Sequence, residues 1–530
     1  MTAGLPGFVL AAYFATVSFL ALFGLHRLHL VALYYRHRRR AADATPLVLD
    51  GDCPRVLVQL PIYNERFVVQ RLLRAVASLD WPADRLTVQL LDDSNDDTAA
   101  IASEEIERLR AAGAPRITHL RRAARDGFKA GALAEGLRHD DAPFVAIFDA
   151  DFVPSPDFLR RMMGSLIDAP DVGMAQGRWT HINRDASLLT RAQAVLLDGH
   201  FVMEHGARFR SGRFFNFNGT AGVWRRAAIE DAGGWQHDTL VEDLDLSYRA
   251  QLAGWRFVYR QDVEVPAELP EDARSFKSQQ HRWAKGSVQA GRKLLPRIWR
   301  AELPWRTRWE ATLHMGSNLA YLGMVLLLVL LPMALAVRER SSLLVGLAVD
   351  LPIFVFATLN LAVFYALSQK EIGGWRAFFG RLPLIPFVLA LGASLTPNNA
   401  RAVVEALGGH VSPFVRTPKG GEVAAARYRL PLNGQTAVEG LLGLYYAVAF
   451  GYAVARGFWL TAPFVGLFAL GFTQLAVGSI RRTQRATSAR DGARAAAPAP
   501  RTQAKATPRA TAPAPVRPPS AGDRRAEAGP

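Results

Sequence analysis

The sequence has a single cysteine, Cys53, among 530 residues. One thiol excludes an internal disulfide framework and any metal site built on several cysteines. It also fits a reducing compartment. No segment repeats at a fixed period. Few charges precede the first apolar run and no small-residue cleavage pattern closes it, so a removed secretory signal is not expected. Acidic residues are in the minority: 63 Lys and Arg face 47 Asp and Glu, a net charge of +16. That excess suits nucleic acid or anionic lipid, but half of it, +8, lies in residues 481–530. The tail is Ala, Pro and Arg with almost no large apolar side chain. It cannot bury enough surface to offset the entropy of ordering, so we read it as disordered. A tether beside an anionic bilayer is the simpler use of its charge, and no nucleic-acid partner is expected.

What is present is long apolar runs. Residues 5–33 are long enough to span a bilayer, which takes about 20 apolar residues, and the cluster RHRRR follows at 36–40. We read residues 1–40 as a retained membrane helix and its basic flank, the arginines on the cytoplasmic side. Residues 310–480 read as a membrane region. Spans are expected at 312–337, 343–367, 438–454 and 457–479. Residues 382–395 are apolar but short, which suits an interfacial or re-entrant segment. Five spans put residues 50–300 and the tail on the cytoplasmic side of a cell membrane. Arg338 and Arg340 oppose that orientation but are outnumbered by the basic flank and tail.

Residues 50–300 have another pattern. RVLVQL at 55–60, LTVQLL at 86–91 and FVAIF at 144–148 read as buried parallel strands. Residues 66–78 and 98–111 read as helices between them. Such alternation predicts an open α/β sheet, whose ligands bind beyond the C-terminal strand ends. Asp92-Asp93 and Asp149-Ala150-Asp151 stand at two of those ends.

Two carboxylates at i and i+2, Asp149 and Asp151, can approach one hard cation that also takes diphosphate oxygens. A solvated turn has the same composition. PIYNE, with Tyr63 and Glu65, and Asp92-Asp93-Ser94 follow strands where a nucleotide base would lie, yet Asp, Asn, Ser and Pro are also ordinary loop residues. DGFKAG sets Lys129 between glycines, as a phosphate ligand or as a surface lysine on a helix start. Glu242-Asp243 opens an apolar helical stretch, either as complement to the helix dipole or with Asp243 as a general base. QQHRW puts Gln279, Arg282 and Trp283 at helical spacing. An indole stacks on sugar and a guanidinium holds diphosphate, but a Trp/Arg belt beside a membrane looks alike.

Together the motifs are more specific than apart. LVQLPIYNE, LLDDSNDDT, DGFKAGAL, VAIFDADFVP, FFNFNGTAGVWRRAAIEDAGGW, TLVEDLDLSYRAQLAGW and QQHRWAKG follow in order over residues 56–286. In this the sequence resembles the membrane-embedded processive family 2 glycosyltransferases of the cellulose synthase superfamily. It is most similar to the cellulose synthase-like A and C branches, the glucomannan and glucan synthases. The resemblance implies a GT-A-like open mixed sheet plus a transmembrane helical bundle. It implies that Tyr63, Glu65, Asp92, Asp93, Lys129, Asp149, Gln279 and Arg282 hold a nucleotide-sugar, with Mg²⁺ or Mn²⁺ on Asp149 and Asp151. Asp243, beside Glu242, is the implied base. Asn218, Gly219 and Thr220 lie near the acceptor, and Trp283 stacks on the terminal sugar of a growing glycan. FVRTPK resembles the gating loop of bacterial cellulose synthases through Phe414, Thr417 and Lys419, although Arg416 departs from the usual valine; a polar cytosolic loop reads the same way. The implied reaction is inverting, from GDP-mannose or UDP-glucose to a β-1,4-glycan, with translocation across the bilayer and export partners there or beyond. A glycolipid-forming, non-processive transferase is the alternative. No cyclic-di-GMP-binding domain is recognisable.

Overall fold

A computed structural model of the chain describes residues 4–38, 51, 53–337, 358–410 and 434–495. The three apolar runs expected as strands form strands, each buried on both faces, so that each is continuously apolar rather than alternating. They are β1 (Val56–Ile62), β2 (Leu86–Asp92) and β4 (Phe144–Ile147), with β3 (Arg116–Arg121) outside β2. β5 (Val172–His181), β6 (Gly222–Arg225) and β7 (Arg256–Ala267) complete a seven-stranded sheet of order β3-β2-β1-β4-β6-β5-β7. β1 to β4 run parallel. β6 is antiparallel to both β4 and β5, and β5 runs parallel to β7, which makes the sheet mixed.

Helices cover both faces. One core packs Val69, Leu72 and Leu73 of the helix Val69–Ala77 and Phe158 and Met162 of the helix Phe158–Ile167 against the sheet. The other packs Leu133 of the helix Phe128–Leu137 together with Phe215, Phe217 and Trp224. Gln59 and Gln89 interrupt these apolar strands, and their amide nitrogens find partners there. Gln59 Nε2 donates to Gln89 Oε1 at 3.1 Å and to the Leu133 carbonyl at 3.2 Å, and Gln89 Nε2 donates to the Gly136 carbonyl at 2.9 Å. A buried amide needs such partners, and Gly136 leaves the room: a Cβ there would sit 2.4 Å from Gln59 Nε2.

The helix Ala273–Arg300 crosses from the sheet to the apolar helices. Asp272 caps it, accepting from the backbone N–H of Arg274 and Ser275 at 3.0 and 2.9 Å. Five helices among the described residues are long and apolar enough to cross a membrane: Gly4–His37, Trp305–Val337, Asn360–Ser394, Thr436–Ala455 and Ala462–Ile480. The third differs from the expected arrangement. Its helix Asn360–Arg381 breaks direction at Gly373-Gly374, where Gly374 has φ +66°. It is followed by Leu382–Leu384 and the helix Ile385–Ser394, the run expected as interfacial. Residues 343–357 of the expected second span, the FVRTPK loop and most of the tail lie outside the described residues.

Candidate active site

Beyond the C-terminal ends of β1 and β4 lies a cavity of about 330 Å³. It is lined by Tyr63, Glu65, Asp93, Lys129, Asp149, Asp151, Asn218, Gly219, Glu242, Asp243, Gln279, Arg282 and Trp283. Segments spread over more than two hundred residues meet here because β6 returns antiparallel beside β4. Ala221 N donates to the Ile147 carbonyl at 2.9 Å, and Asp149 N donates to Thr220 Oγ1 at 2.9 Å. The NGT segment is thereby laid against the DAD segment.

Lys129 bridges the two. Its Nζ donates to Asp149 Oδ1 and, at 2.8 Å, to the Gly219 carbonyl. Burial disfavours its charge, but Asp149 and Glu242 outweigh that and raise its pKa. Gly219 is required by the backbone and by space: φ is +84°, and a Cβ would fall 2.9 Å from Asp243 Oδ2.

Asp243 lies in the first turn of the helix Glu242–Leu252. Burial and the adjacent Glu242 push its pKa well above the ordinary carboxylate range, against the opposing pull of Lys129, the Leu244 N–H and Arg282. A carboxylate of raised basicity in a cleft is suited to accept a proton. Its height is set by the helix Ala273–Arg300, where Gly286 packs so closely that a Cβ would meet Val241 Cγ1 at 2.5 Å. Gln289 Oε1 accepts from Leu240 N at 3.0 Å. Glu242-Asp243 and Gln279–Trp283 are therefore held by one joint.

Two expected residues do not face the cavity. Asp92 is turned inward. It accepts from Ser94 N at 2.8 Å and sits 2.9 Å from His119 Nε2, bonds that outweigh burial and lower its pKa. It shapes the loop, and a strand's alternation makes this intelligible: of two consecutive residues only one points to a given face. Thr220 is fully buried beneath Asp149. Phe414, Thr417 and Lys419 lie outside the described residues.

Other cavity residues carried no motif. Arg125 lies with its guanidinium 3.4 Å from the Tyr63 ring centroid, and Arg122 grips both oxygens of Asp93. The arginine-rich run before DGFKAG was the available signal. Trp179, His181, His237 and Glu268 also line the cavity, brought in by tertiary structure alone.

A second cavity, of about 500 Å³, shares Trp179, Asn218, Asp243, Gln279 and Trp283 with the first. It continues between helices, past His26, His314, Tyr321 and Phe468.

A mixed sheet carrying paired carboxylates at a strand end and a carboxylate of raised basicity across the cleft defines the GT-A class of nucleotide-sugar transferase domains. Residues 54–286 match the family described as "Glycosyltransferase like family 2", and this segment is a family 2 glycosyltransferase domain. Its curated relatives agree with the cellulose synthase-like A resemblance. Glucomannan 4-beta-mannosyltransferase 1 of Oryza sativa subsp. japonica is 48% identical over 260 residues, covering 48% of this chain and 50% of that protein. Glucomannan 4-beta-mannosyltransferase 2 of Arabidopsis thaliana is 47% identical over 249 residues, 46% of each chain. The chain thus spans about half the length of the curated relatives it matches. In fold it is similar to a mannosyltransferase from Pyrobaculum calidifontis, solved with GDP-Man and Mn²⁺. The TM-score is 0.51 at 22% identity, over 75% of this chain and 99% of that one.

Proposed function

We propose that the protein is an inverting, membrane-embedded β-hexosyltransferase that extends a β-1,4-glycan, with GDP-mannose as the favoured donor. The observation that carries this reading is the placement of Asp243 across one cleft from Asp149 and Asp151, with Trp283 at the junction of the two cavities. The relatives named glucomannan 4-beta-mannosyltransferases support the sugar and the linkage.

In this reading the base stacks near Tyr63 and Arg125, and the diphosphate lies toward Lys129, Gln279 and Arg282. Asp149 and Asp151 face the cavity as two carboxylates, a donor set that fits Mg²⁺ or Mn²⁺ shared with diphosphate oxygens. Bound there, the ion would supply charge neutralisation of the departing diphosphate. Asp243 removes the proton from the acceptor 4-hydroxyl, and the oxygen attacks the anomeric carbon from the face opposite the diphosphate, so an α-linked donor yields a β-linked product. Lys129, held between Asp149 and the Gly219 carbonyl, adds positive charge on the leaving-group side. Trp283 offers a face for the terminal sugar, and the second cavity offers the product a path between the apolar helices. The catalytic domain and the tail lie on the cytoplasmic side of the membrane.

Membranes carrying the protein are incubated with labelled GDP-mannose or UDP-glucose, with Mn²⁺ or with EDTA, and the product is digested with linkage-specific hydrolases. Metal-dependent incorporation from GDP-mannose into β-mannanase-sensitive polymer is expected. Product confined to lipid-linked mono- or disaccharide would overturn processive synthesis, and incorporation only from UDP-glucose would overturn the donor.

A further inference from the structure

Between the motif that ends at Trp235 and the one that begins at Thr239 lie Gln236, His237 and Asp238, which belong to neither. They follow a turn through Gly233 and Gly234, both of positive φ, +82° and +71°. Two cations stitch this segment to the protein. Arg249 donates from Nη2 to the Gly234 carbonyl at 2.9 Å and from Nη1 to the Ala232 carbonyl. Lys293, on the helix Ala273–Arg300, donates to Gln236 Oε1 and to Asp238 Oδ1, each at 2.7 Å. Its third partner is Asp245 Oδ1 at 2.9 Å, and Asp245 Oδ2 accepts from Arg249 Nε at 2.8 Å. Asp245 is fully buried in the first turn of the helix Glu242–Leu252 and, unlike Glu242 and Asp243, does not line the first cavity.

One buried carboxylate therefore neutralises two cations, and both cations hold the segment. An ammonium has three protons to give, and here it meets three acceptors. The residues on either side of His237 are pinned by that one ammonium, so the place of His237 between them is fixed. Its imidazole is exposed and stands against the start of the helix Phe128–Leu137: a Cβ on Gly127 would fall 3.0 Å from His237 Nδ1. His237 and Gly127 both line the first cavity. Two residues before Gly127 is Arg125, on the Tyr63 ring; two residues after it is Lys129, on Asp149. His237 thus stands between the end of the cavity read above as the base site and the end read as the metal site. The wall at this point is the first turn of a helix, whose N–H groups favour an anion.

We propose that His237 donates a hydrogen bond to the diphosphate of the nucleotide-sugar, and that Lys293 is the positioning residue that presents it. This rests on the glycosyl-transfer reading above and adds to it a donor ligand that lies outside every motif. An imidazole has a ring N–H to give whether neutral or protonated, and a bond to an ionised phosphate oxygen is of the stronger kind. Lys293 lies ten residues beyond Trp283 on one helix. The clamp therefore ties the diphosphate contact to the helix that offers Trp283 to the acceptor.

The test uses the full-length protein. In detergent with Mn²⁺ it is titrated by calorimetry with the nucleoside diphosphate of the donor it uses, GDP or UDP, and with the matching nucleoside; in membranes, donor and acceptor KM are measured. His237→Leu is expected to weaken the diphosphate about tenfold, the order of one hydrogen bond to a charged group, and to leave the nucleoside affinity in place. The donor KM should rise by a similar factor while the acceptor KM holds. Lys293→Met should weaken the diphosphate to a similar extent, and adding His237→Leu to it should cost little more, because the two act through one contact. If His237→Leu binds the diphosphate as wild type does, or loses the nucleoside as fully as the diphosphate, the proposal is wrong while the transfer reaction stands. Full additivity of the two substitutions would overturn the positioning role of Lys293. If wild type transfers no sugar from either donor, the transfer reading fails and this proposal falls with it.

Discussion

In the proposed reaction, Asp243 carries the most chemical consequence of any single side chain. Its raised pKa comes from burial and from Glu242, and Lys129 and Arg282 work against the rise. A base acts only when deprotonated. With the pKa raised, the rate should fall as pH drops through that pKa, at a higher pH than an exposed aspartate would show. An acid limb in the pH–kcat profile near neutrality is the expected measurement; a flat profile down to pH 5 would remove Asp243 from the role. Asp243→Asn should lower kcat by about 10²–10⁴-fold while nucleotide binding, followed by isothermal titration, is retained. At this scale much was legible in advance. Tyr63, Glu65, Asp93, Lys129, Asp149, Asp151, Gln279, Arg282 and Trp283 were read from short motifs and all line one cavity. Asp92 was not separable from Asp93, because adjacency in sequence says nothing about which carboxylate a loop turns inward. Trp179 was missed because no motif surrounds it, and Arg125 was missed although it adjoins DGFKAG.

At the scale of elements, the joint between the helix Ala273–Arg300 and the turn before Glu242 decides the geometry. Gly286→Ala would place a methyl 2.5 Å from Val241 Cγ1. An overpacked contact of this kind costs roughly 1–3 kcal/mol. Gly286→Ala should therefore lower the thermal midpoint and reduce kcat, because Trp283 and Asp243 would separate. An unchanged kcat in a destabilised variant would show that the joint supports stability alone. The strand runs were readable as elements, since residues buried on both faces leave unbroken apolar stretches. Their order in the sheet was not: nothing local announces that β6 inserts antiparallel between β4 and β5.

At the scale of the molecule, the catalytic domain and the apolar helices are joined by buried charges as well as by apolar contact. Lys277, on the helix that carries Trp283, donates to Glu439 of the apolar helix Gly434–Ala455 at 2.7 and 3.0 Å. Asn398 Nδ2 donates to the Lys277 carbonyl at 2.9 Å. Removing one partner of such a pair strands the other, at about 3–5 kcal/mol, whereas replacing both with apolar groups is often neutral. Lys277→Met should markedly lower the unfolding midpoint in detergent, and Lys277→Met with Glu439→Leu should recover most of it. Failure of the double variant to recover would mean that the pair orders this junction in some other way.

The sequence by itself determined the apolar strands β1, β2 and β4 and the family of residues 54–286. Apolar periodicity and strand-end carboxylates are local properties, and the ordered motifs over residues 56–286 name a family without any coordinates. It also placed most of the apolar runs, since length and hydropathy suffice to show which helices can cross a bilayer. Only the tertiary structure decided which face each residue presents. It turned Asp92 and Thr220 inward, set Asn218 against His200, and joined the first cavity to a second one between the helices. The physical reason is that burial, pKa and hydrogen-bond direction depend on neighbours that are distant in sequence. The Lys129 that joins Asp149 to the Gly219 carbonyl is one such neighbour.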